Sequence, residues 1–469
     1  MNKAAVAKTM KILLIMFAPY RTVQMQIAAL SAFLKKCGHE VRYLEIVVFS
    51  GDTFDEYKDV VKQEMKVSQP DLVGFSSYDM NCYFILDCAN FIKNYYPKTK
   101  IIVGGHHASM APEFYMRKES IDYVCIGEGE YVLGELLESL SEGNGARSIK
   151  GLCLRDSTRK IIYNGARELE ADLDGLPFID RSVVNSQQLE LDYLPMFAGK
   201  GCPYSCTYCA NNSIKRLYPN PNKYVRYRSP EEIIEEIKEC KNIYEFNYVF
   251  FYDDIFALNY KWLQRFGELY ARNFPDIPFQ CLLRPEIAAN EKYIKLLHDS
   301  GCRYVYIGVE SGSEKYRQNV LGRNMTNRTI LKGARLIKKY QMKLYIFMMV
   351  GLPGETILDM IKSLWLNFVI GAKGVQTGIY YPIENTPLYK YCADRNLINE
   401  ERRKRMYVFT YDTCLNYSIP RRALIILSKW LNSGIPLIRS FQLFLVPYFL
   451  RIQYKKWRKK EIDFKNKIS

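Results

Sequence analysis

Three cysteines fall within eight residues in Gly201-Cys202-Pro203-Tyr204-Ser205-Cys206-Thr207-Tyr208-Cys209. Thiols packed this densely beside Gly and Pro do not fill a core; they hold metal. A closed zinc site needs a fourth ligand. The chain has 4 histidines, and the one nearest Cys209, His298, is 89 positions away, with no second Cys-x-x-Cys knuckle to complete such a site. Three thiolates on one loop instead suit three corners of an iron–sulfur cube, which leaves one iron without a protein ligand. An open position on a metal is where a substrate or cofactor binds.

The elements that position this loop repeat. Pro195–Ala198 is a short apolar strand running into the cysteines. Tyr248–Tyr252, Phe279–Leu283, Tyr304–Val309, Leu344–Val350 and Val375–Tyr381 are further strands, and helical periods lie between most of them. Six strands with right-handed helical crossovers curl into a partial six-stranded (β/α) barrel, whose site lies at the carboxyl ends of the strands. Upstream, Ile12–Phe17, Glu40–Ile46, Leu72–Ser76, Ile101–Val103 and Tyr123–Ile126 form another strand–helix series, with Gly38 ending its first helix. Fully apolar strands alternating with helices make an α/β, Rossmann-like (flavodoxin-like) parallel sheet covered on both faces. Its strand ends carry Ser76-Ser77-Tyr78, Gly104-Gly105-His106 and Gly127-Glu128-Gly129, which are either a ligand rim or ordinary turns.

A chain of 469 residues, 48% apolar and 25% charged, holds two or three globular domains and excludes wholesale disorder or fibrous repeats. We divide it at 10–145, a turn-rich connection at 146–190, the barrel at 191–395 and an extension at 396–469. The 13 cysteines are too dilute for a disulfide scaffold, and Ile12–Phe17 lacks the length and cleavage site of a signal peptide. A reducing, cytoplasmic setting is expected. The net charge of +16 is uneven: residues 401–469 carry 16 Lys/Arg against 4 Asp/Glu. The basic character therefore belongs to an appended, helical-looking extension.

Cys202-x-x-x-Cys206-x-x-Cys209 after a first barrel strand resembles the radical S-adenosylmethionine superfamily. The resemblance implies a [4Fe-4S] cluster whose free iron is chelated by the amino and carboxylate groups of S-adenosylmethionine. One electron then cleaves the sulfonium to methionine and a 5′-deoxyadenosyl radical. Tyr252-Asp253-Asp254-Ile255-Phe256, Leu283-Arg284-Pro285, Gly308-Val309-Glu310-Ser311-Gly312-Ser313 and Val350-Gly351-Leu352-Pro353-Gly354-Glu355-Thr356 are similar to the cobalamin-dependent members. So are Val103-Gly104-Gly105-His106-His107 and Ile126-Gly127-Glu128-Gly129-Glu130, which match their cobalamin-binding domain. The likeness spans roughly residues 11–391.

It implies the following roles. Tyr208 stands beside the adenine, and Glu310, with Ser311 following it, meets the methionine amino group or ribose hydroxyls. Arg284 takes the methionine carboxylate in a two-pronged contact or joins a barrel-interior ion pair. Gly351 and Gly354 let backbone approach the adenine. Asp253 and Asp254 either bind ligand or cap the next helix. The loop Pro382-Ile383-Glu384-Asn385-Thr386-Pro387 departs from the glycine-bearing loop of relatives.

The cobalamin nucleotide tail is expected along Ser76, Ser77, Gly104, Gly105, Gly127 and Glu128. Mutases carry a cobalt-ligating His after the first strand. Here that loop is Ala18-Pro19-Tyr20-Arg21-Thr22, so a histidine-on cobalt at this position is excluded. His106 is either a group approaching the corrin or a plain loop residue.

Within the extension, Trp430, Phe444, Tyr448, Phe449 and Trp457 mix with Lys455, Lys456, Arg458, Lys459 and Lys460. Interruptions at Lys429, Gly434, Pro436, Arg439 and Pro447 exclude a spanning helix. The segment suits a bilayer interface or a helical layer on the barrel. Nucleic acid is not the expected partner.

The expected activity is methyl transfer from cobalamin to an unactivated carbon of a small-molecule or lipid-like substrate. An external flavodoxin- or ferredoxin-type protein would supply the electron. Alternatives are a transfer-RNA methylthiotransferase, a cobalamin-assisted cyclase or rearrangement enzyme, and a non-catalytic cobalamin-binding regulator. The first needs three more cluster cysteines in an N-terminal domain, and Cys37, Cys82, Cys88, Cys125 and Cys153 do not have that context.

Overall fold

The computed structural model describes residues 8–19, 24–49, 51–183, 192–256, 258–404 and 413–416. The basic segment 421–469 and residues 20–22 of the first loop lie outside the described residues.

The first sheet holds seven strands. β1 (Lys11–Ala18), β2 (Glu40–Val47), β3 (Leu72–Ser76), β4 (Lys100–Gly104) and β5 (Tyr123–Cys125) run parallel in the order β2-β1-β3-β4-β5. All residues of β1 except Lys11 are buried, because helices cover both faces of the sheet. Leu13, Ile15 and Phe17 enter one core, and Ile12 and Leu14 the other. The helix Met25–Lys36 turns into β2 through Gly38 at φ 87°, where a side chain would be strained. The stretch taken from sequence as a connection contributes two more strands, β6 (Leu152–Arg155) and β7 (Ile161–Tyr163), which add antiparallel to β5. Their runs are only 4 and 3 residues long, too short for periodicity to mark.

The second sheet is the partial barrel. β8 (Tyr193–Met196), β11 (Tyr248–Phe251), β12 (Phe279–Leu283), β13 (Cys302–Glu310), β14 (Lys343–Val350) and β15 (Gly374–Ile379) are parallel neighbours in chain order. Between β8 and β11, β9 (Gly199–Lys200) and β10 (Arg226–Tyr227) form a small antiparallel pair. Alternate side chains such as Val249, Phe251, Cys281, Val305, Ile307 and Ile346 pack against the outer helices. The opposite face carries a half-buried aromatic ladder in which Tyr306 stacks on Tyr345 at 4.7 Å and on Phe250 at 6.1 Å.

Ion pairs join the two sheets. Lys200 Nζ meets Glu130 at 2.7 Å, and Arg226 grips Glu128 with two nitrogens. Arg403, on the short helix Glu400–Lys404, reaches Asp79 of the first sheet at 2.9 Å and Glu384 at 2.7 Å. An antiparallel bridge of Ile398 to Leu415 holds the described end of the extension. Among the described residues no helix is long and apolar enough to cross a membrane.

Candidate active site

The cysteine loop leaves the end of β8 and is fixed at both sides. Asp253, just past β11, accepts from the Ala198 backbone N–H at 2.9 Å. Neither Asp253 nor Asp254 caps the next helix, whose N-cap is Asn259. Gly201 sits at φ 89°, and a side chain there would lie 2.3 Å from the Tyr224 carbonyl oxygen. Past the loop, Lys215 Nζ donates to Pro203 O, Tyr204 O and Ser205 Oγ at 2.8–2.9 Å, one cation gathering three loop oxygens. Thr207 donates from Oγ1 to Val320 O at 2.6 Å, which ties the same loop to the segment after β13.

Cys202, Cys206 and Cys209 are unpaired thiols. Burial is the main cause that pushes Cys202 up to about 11 and Cys209 up to about 12, and the neighbouring thiols and Asp254 add to both. The three sulfurs therefore lie within electrostatic reach of one another. Cys206 is also approached by two cations, Arg284 Nη1 at 3.5 Å and Arg323 Nη1 at 3.7 Å. A buried anion at Cys206 has its compensation in place.

Glu310 ends β13 at a bulge and adopts φ 68°, a left-handed conformation that costs a non-glycine residue energy. The twist turns its carboxylate toward the loop. Burial pushes the Glu310 carboxyl up, opposed by the charge of Arg323 and a hydrogen bond from Tyr208. Arg323 donates to the Tyr208 phenol oxygen at 3.1 Å and stands 3.8 Å from Glu310. Arg323, Tyr208, Glu310 and Cys206 are thus one polar network.

Arg323 and Lys215 were missed from sequence. Arg323 is 117 positions from Cys206 in a loop with no periodic signal, and Lys215 follows the cysteine run as an ordinary cation.

Other expected positions are occupied by the protein's own contacts. The Arg284 fork is taken by Glu286, at 2.6 and 3.1 Å, and its plane lies 4.0 Å from the Tyr204 ring centroid. Ser311 is buried and its Oγ accepts from Ser313 N. Gly351 and Gly354 lie at φ 68° and 80° after β14; the Gly351 amide donates to Glu355 Oε2 at 2.9 Å, and Gly354 is exposed.

On the first sheet, Ser77 Oγ accepts from Ala108 N at 2.9 Å, and Ser76 is half-buried. Gly104 is half-buried at the end of β4, and Gly105 passes so close to Ser77 that an added Cβ would lie 2.5 Å from its carbonyl. Tyr218 covers Gly127, and the Glu128 carboxylate is spent on Arg226 and Lys200.

His106 opens the helix His106–Met110 beyond β4. It retains accessible surface, yet burial lowers its imidazole below the usual value, with the charges of Asp254 and Asp79 opposing that shift. Asp254 is likewise accessible yet pushed up by burial, and it bonds Asn211 and feels His106. Asp254 feels His106 on one side and Cys202 and Cys209 on the other, so it stands between the first sheet's rim and the cysteine loop.

This donor set fits the groups that the motifs imply. Three clustered thiols with guanidinium compensation suit an iron–sulfur cube. Polar rims at the carboxyl ends of two parallel sheets suit nucleotide-bearing cofactors.

Residues 196–364 match the radical SAM superfamily, and residues 13–137 match the B12 binding domain. An uncharacterized methyltransferase of Pyrococcus horikoshii is 26% identical over 350 residues, 74% of this chain and 73% of that protein. The anaerobic magnesium-protoporphyrin IX monomethyl ester cyclase of Cereibacter sphaeroides is 22% identical, over 79% of this chain and 60% of its own length. Among solved structures, the radical S-adenosylmethionine methyltransferase TsrM of Kitasatospora setae, with cobalamin and a [4Fe-4S] cluster bound, superposes with a TM-score of 0.66 at 18% identity. That superposition covers 82% of this chain and 78% of TsrM. With both domains on one polypeptide, the chain belongs to the radical S-adenosylmethionine enzymes that carry a cobalamin-binding domain, and its cofactors are a [4Fe-4S] cluster, S-adenosylmethionine and cobalamin.

Proposed function

We propose that the chain transfers a methyl group to an unactivated carbon of a small-molecule or lipid-like substrate. The observation that carries this reading is the position of Asp254, within electrostatic reach of both His106 on the first sheet and Cys202 and Cys209 on the second. With the two rims this near each other, two cofactors can face one substrate. Bound there, the cofactors supply one-electron cleavage of a sulfonium and a transferable methyl group.

The protein's own residues position and shield. Cys202, Cys206 and Cys209 hold the cluster. Arg323 and Arg284 balance the charge at Cys206. Glu310 and Tyr208, oriented by Arg323, meet the amino-acid or ribose part of S-adenosylmethionine, and the Gly351–Gly354 turn meets its adenine. Ser76, Ser77, Gly104 and Gly105 border the cobalamin tail; Glu128 supports that rim through Arg226. We keep the division at 10–145, 146–190, 191–395 and 396–469 as ours, and take the electron donor to be a flavodoxin- or ferredoxin-type protein. The aromatic composition of the basic extension favours contact with the inner face of a membrane and a cytoplasmic site of action.

Anaerobic reconstitution with S-adenosylmethionine and a reductant tests the reading. Methyl transfer yields 5′-deoxyadenosine together with S-adenosylhomocysteine, because each methyl group comes from a second S-adenosylmethionine. The likeness to the ester cyclase favours a second reading, in which 5′-deoxyadenosine forms without S-adenosylhomocysteine. Absence of 5′-deoxyadenosine would overturn both.

A further inference from the structure

The helix Ile357–Ile370 carries apolar residues on its outer as well as its inner side, interrupted by Asp359, Lys362 and Asn367. Met360, Leu366 and Ile370 face the barrel, while Leu358, Ile361, Trp365 and Phe368 form a stripe on the outside, with Trp365 61% and Leu358 60% exposed. An apolar stripe left on the solvent side of such a helix marks a surface for lipid or a partner. At 14 residues it is about 21 Å long, too short to span a bilayer, so it can only lie on one.

The neighbouring helix Asn327–Lys339 carries exposed Arg328, Lys332, Arg335, Lys338 and Lys339 and no acidic residue. Lys338 Nζ reaches the Ile370 carbonyl, so the cationic helix lies beside the apolar stripe, while Lys339 pairs with Glu291 at 2.6 Å. A cavity of about 250 Å³ opens beside Trp365 and is also lined by Ser313, Glu314, Lys315, Asn327 and Lys362.

We infer that the face formed by helices Asn327–Lys339 and Ile357–Ile370 docks on a lipid bilayer with anionic headgroups. The stripe settles at the boundary of headgroups and acyl chains, and Arg328, Lys332 and Arg335 face lipid phosphates. Charge selects this occupant over others on the chain. Residues 417–469 carry 12 Lys/Arg against 2 Asp/Glu and so have the same sign as the cationic helix. A second copy would set five cations against five. The stripe itself contains no hydrogen-bonding group for a protein partner to meet except the Trp365 indole, which favours the headgroup level of a membrane.

Vesicle flotation of the reconstituted full chain tests this, comparing phosphatidylcholine vesicles with and without phosphatidylglycerol at low and high salt. Floating with the anionic vesicles is expected, reduced by salt and reduced about tenfold by Leu358→Gln/Trp365→Gln and by Lys332→Glu/Arg335→Glu. Those variants retain iron content and 5′-deoxyadenosine formation without vesicles. A chain ending at Asn416 keeps the stripe-dependent part. Flotation of both double variants at the wild-type level would overturn the proposal, and so would its complete loss on truncation alone. Loss of electron delivery from an acidic protein donor with vesicle binding unchanged would overturn it too, in favour of a protein contact. The result is separable from methyl transfer, which is read from the nucleoside products.

Discussion

Arg403 and Asp79 are 324 positions apart in the chain and 2.9 Å apart in the structure. The same guanidinium nitrogen donates to Glu384, which also accepts from or shares a proton with His107 Nε2 at 3.2 Å. Asp79, His107 and Glu384 bring ligand atoms close enough for a metal ion, but the Arg403 guanidinium supplies the cation there. This buried network pins the barrel's sixth-strand loop and the extension onto the first sheet.

Arg403→Met should therefore leave two carboxylates without compensation and cost about 3 kcal/mol or more. Limited proteolysis should detect loosening near residue 384, and thermal unfolding should shift downward. The hydrogen bond with His107 and then Arg403 holds Glu384 down at about 2. Its stabilisation is full above the ordinary carboxylate value and is lost as pH falls from there through about 2. Unchanged proteolysis in Arg403→Met would show that the contact carries no joint.

Arg323→Gln should keep the iron and lose turnover. The residue touches no cysteine except Cys206 yet orients Tyr208 and faces Glu310, so its loss misplaces donors without removing a ligand. A fall in 5′-deoxyadenosine formation of about tenfold or more is expected, with cluster absorbance retained and an altered spectrum on adding S-adenosylmethionine. Arg323→Lys should restore part of it. Loss of the cluster itself would instead make Arg323 a scaffold residue.

Much of this was legible in sequence because the strands carry their own signal. Leu72–Ser76 and Phe279–Leu283 coincide with β3 and β12 to the residue, since apolar, β-rich runs bounded by polar turns mark fully covered strands. The cysteine loop announced itself by spacing alone. Side-chain partnership did not: no spacing in the sequence announces that Arg284 meets Glu286 or that Glu128 meets Arg226. The stripe on helix Ile357–Ile370 was hidden for a related reason, because a mostly apolar helix looks buried until the layer beyond it is known.

Lys215→Met should lower the iron retained after reconstitution. Three loop oxygens lose their shared donor, and nothing else in that contact replaces it. Cluster content about half that of the wild type, or faster loss of iron to a chelator, is the expected result. Lys215→Arg should be intermediate. Full retention in Lys215→Met would mean that Gly201 and Thr207 hold the loop by themselves.

Asp253 gives the pH dependence a sign. Burial is the main cause that pushes its carboxyl up to about 7, against backbone donors at Ala198 and Gly199 and with Asp254 adding to the rise. The unfolded value is near 3.8, so between about pH 4 and 7 the folded chain holds a proton that the unfolded chain has released. Stability on this account falls as pH rises across that window and is level above it. The full contribution is on the order of 4 kcal/mol. Asp253→Asn keeps an oxygen for the Ala198 amide and cannot ionise, so it should equal the wild type near pH 4 and exceed it in thermal midpoint near pH 8. Parallel stability curves for the two proteins would show instead that Asp253 stays charged and that its backbone donors outweigh its burial.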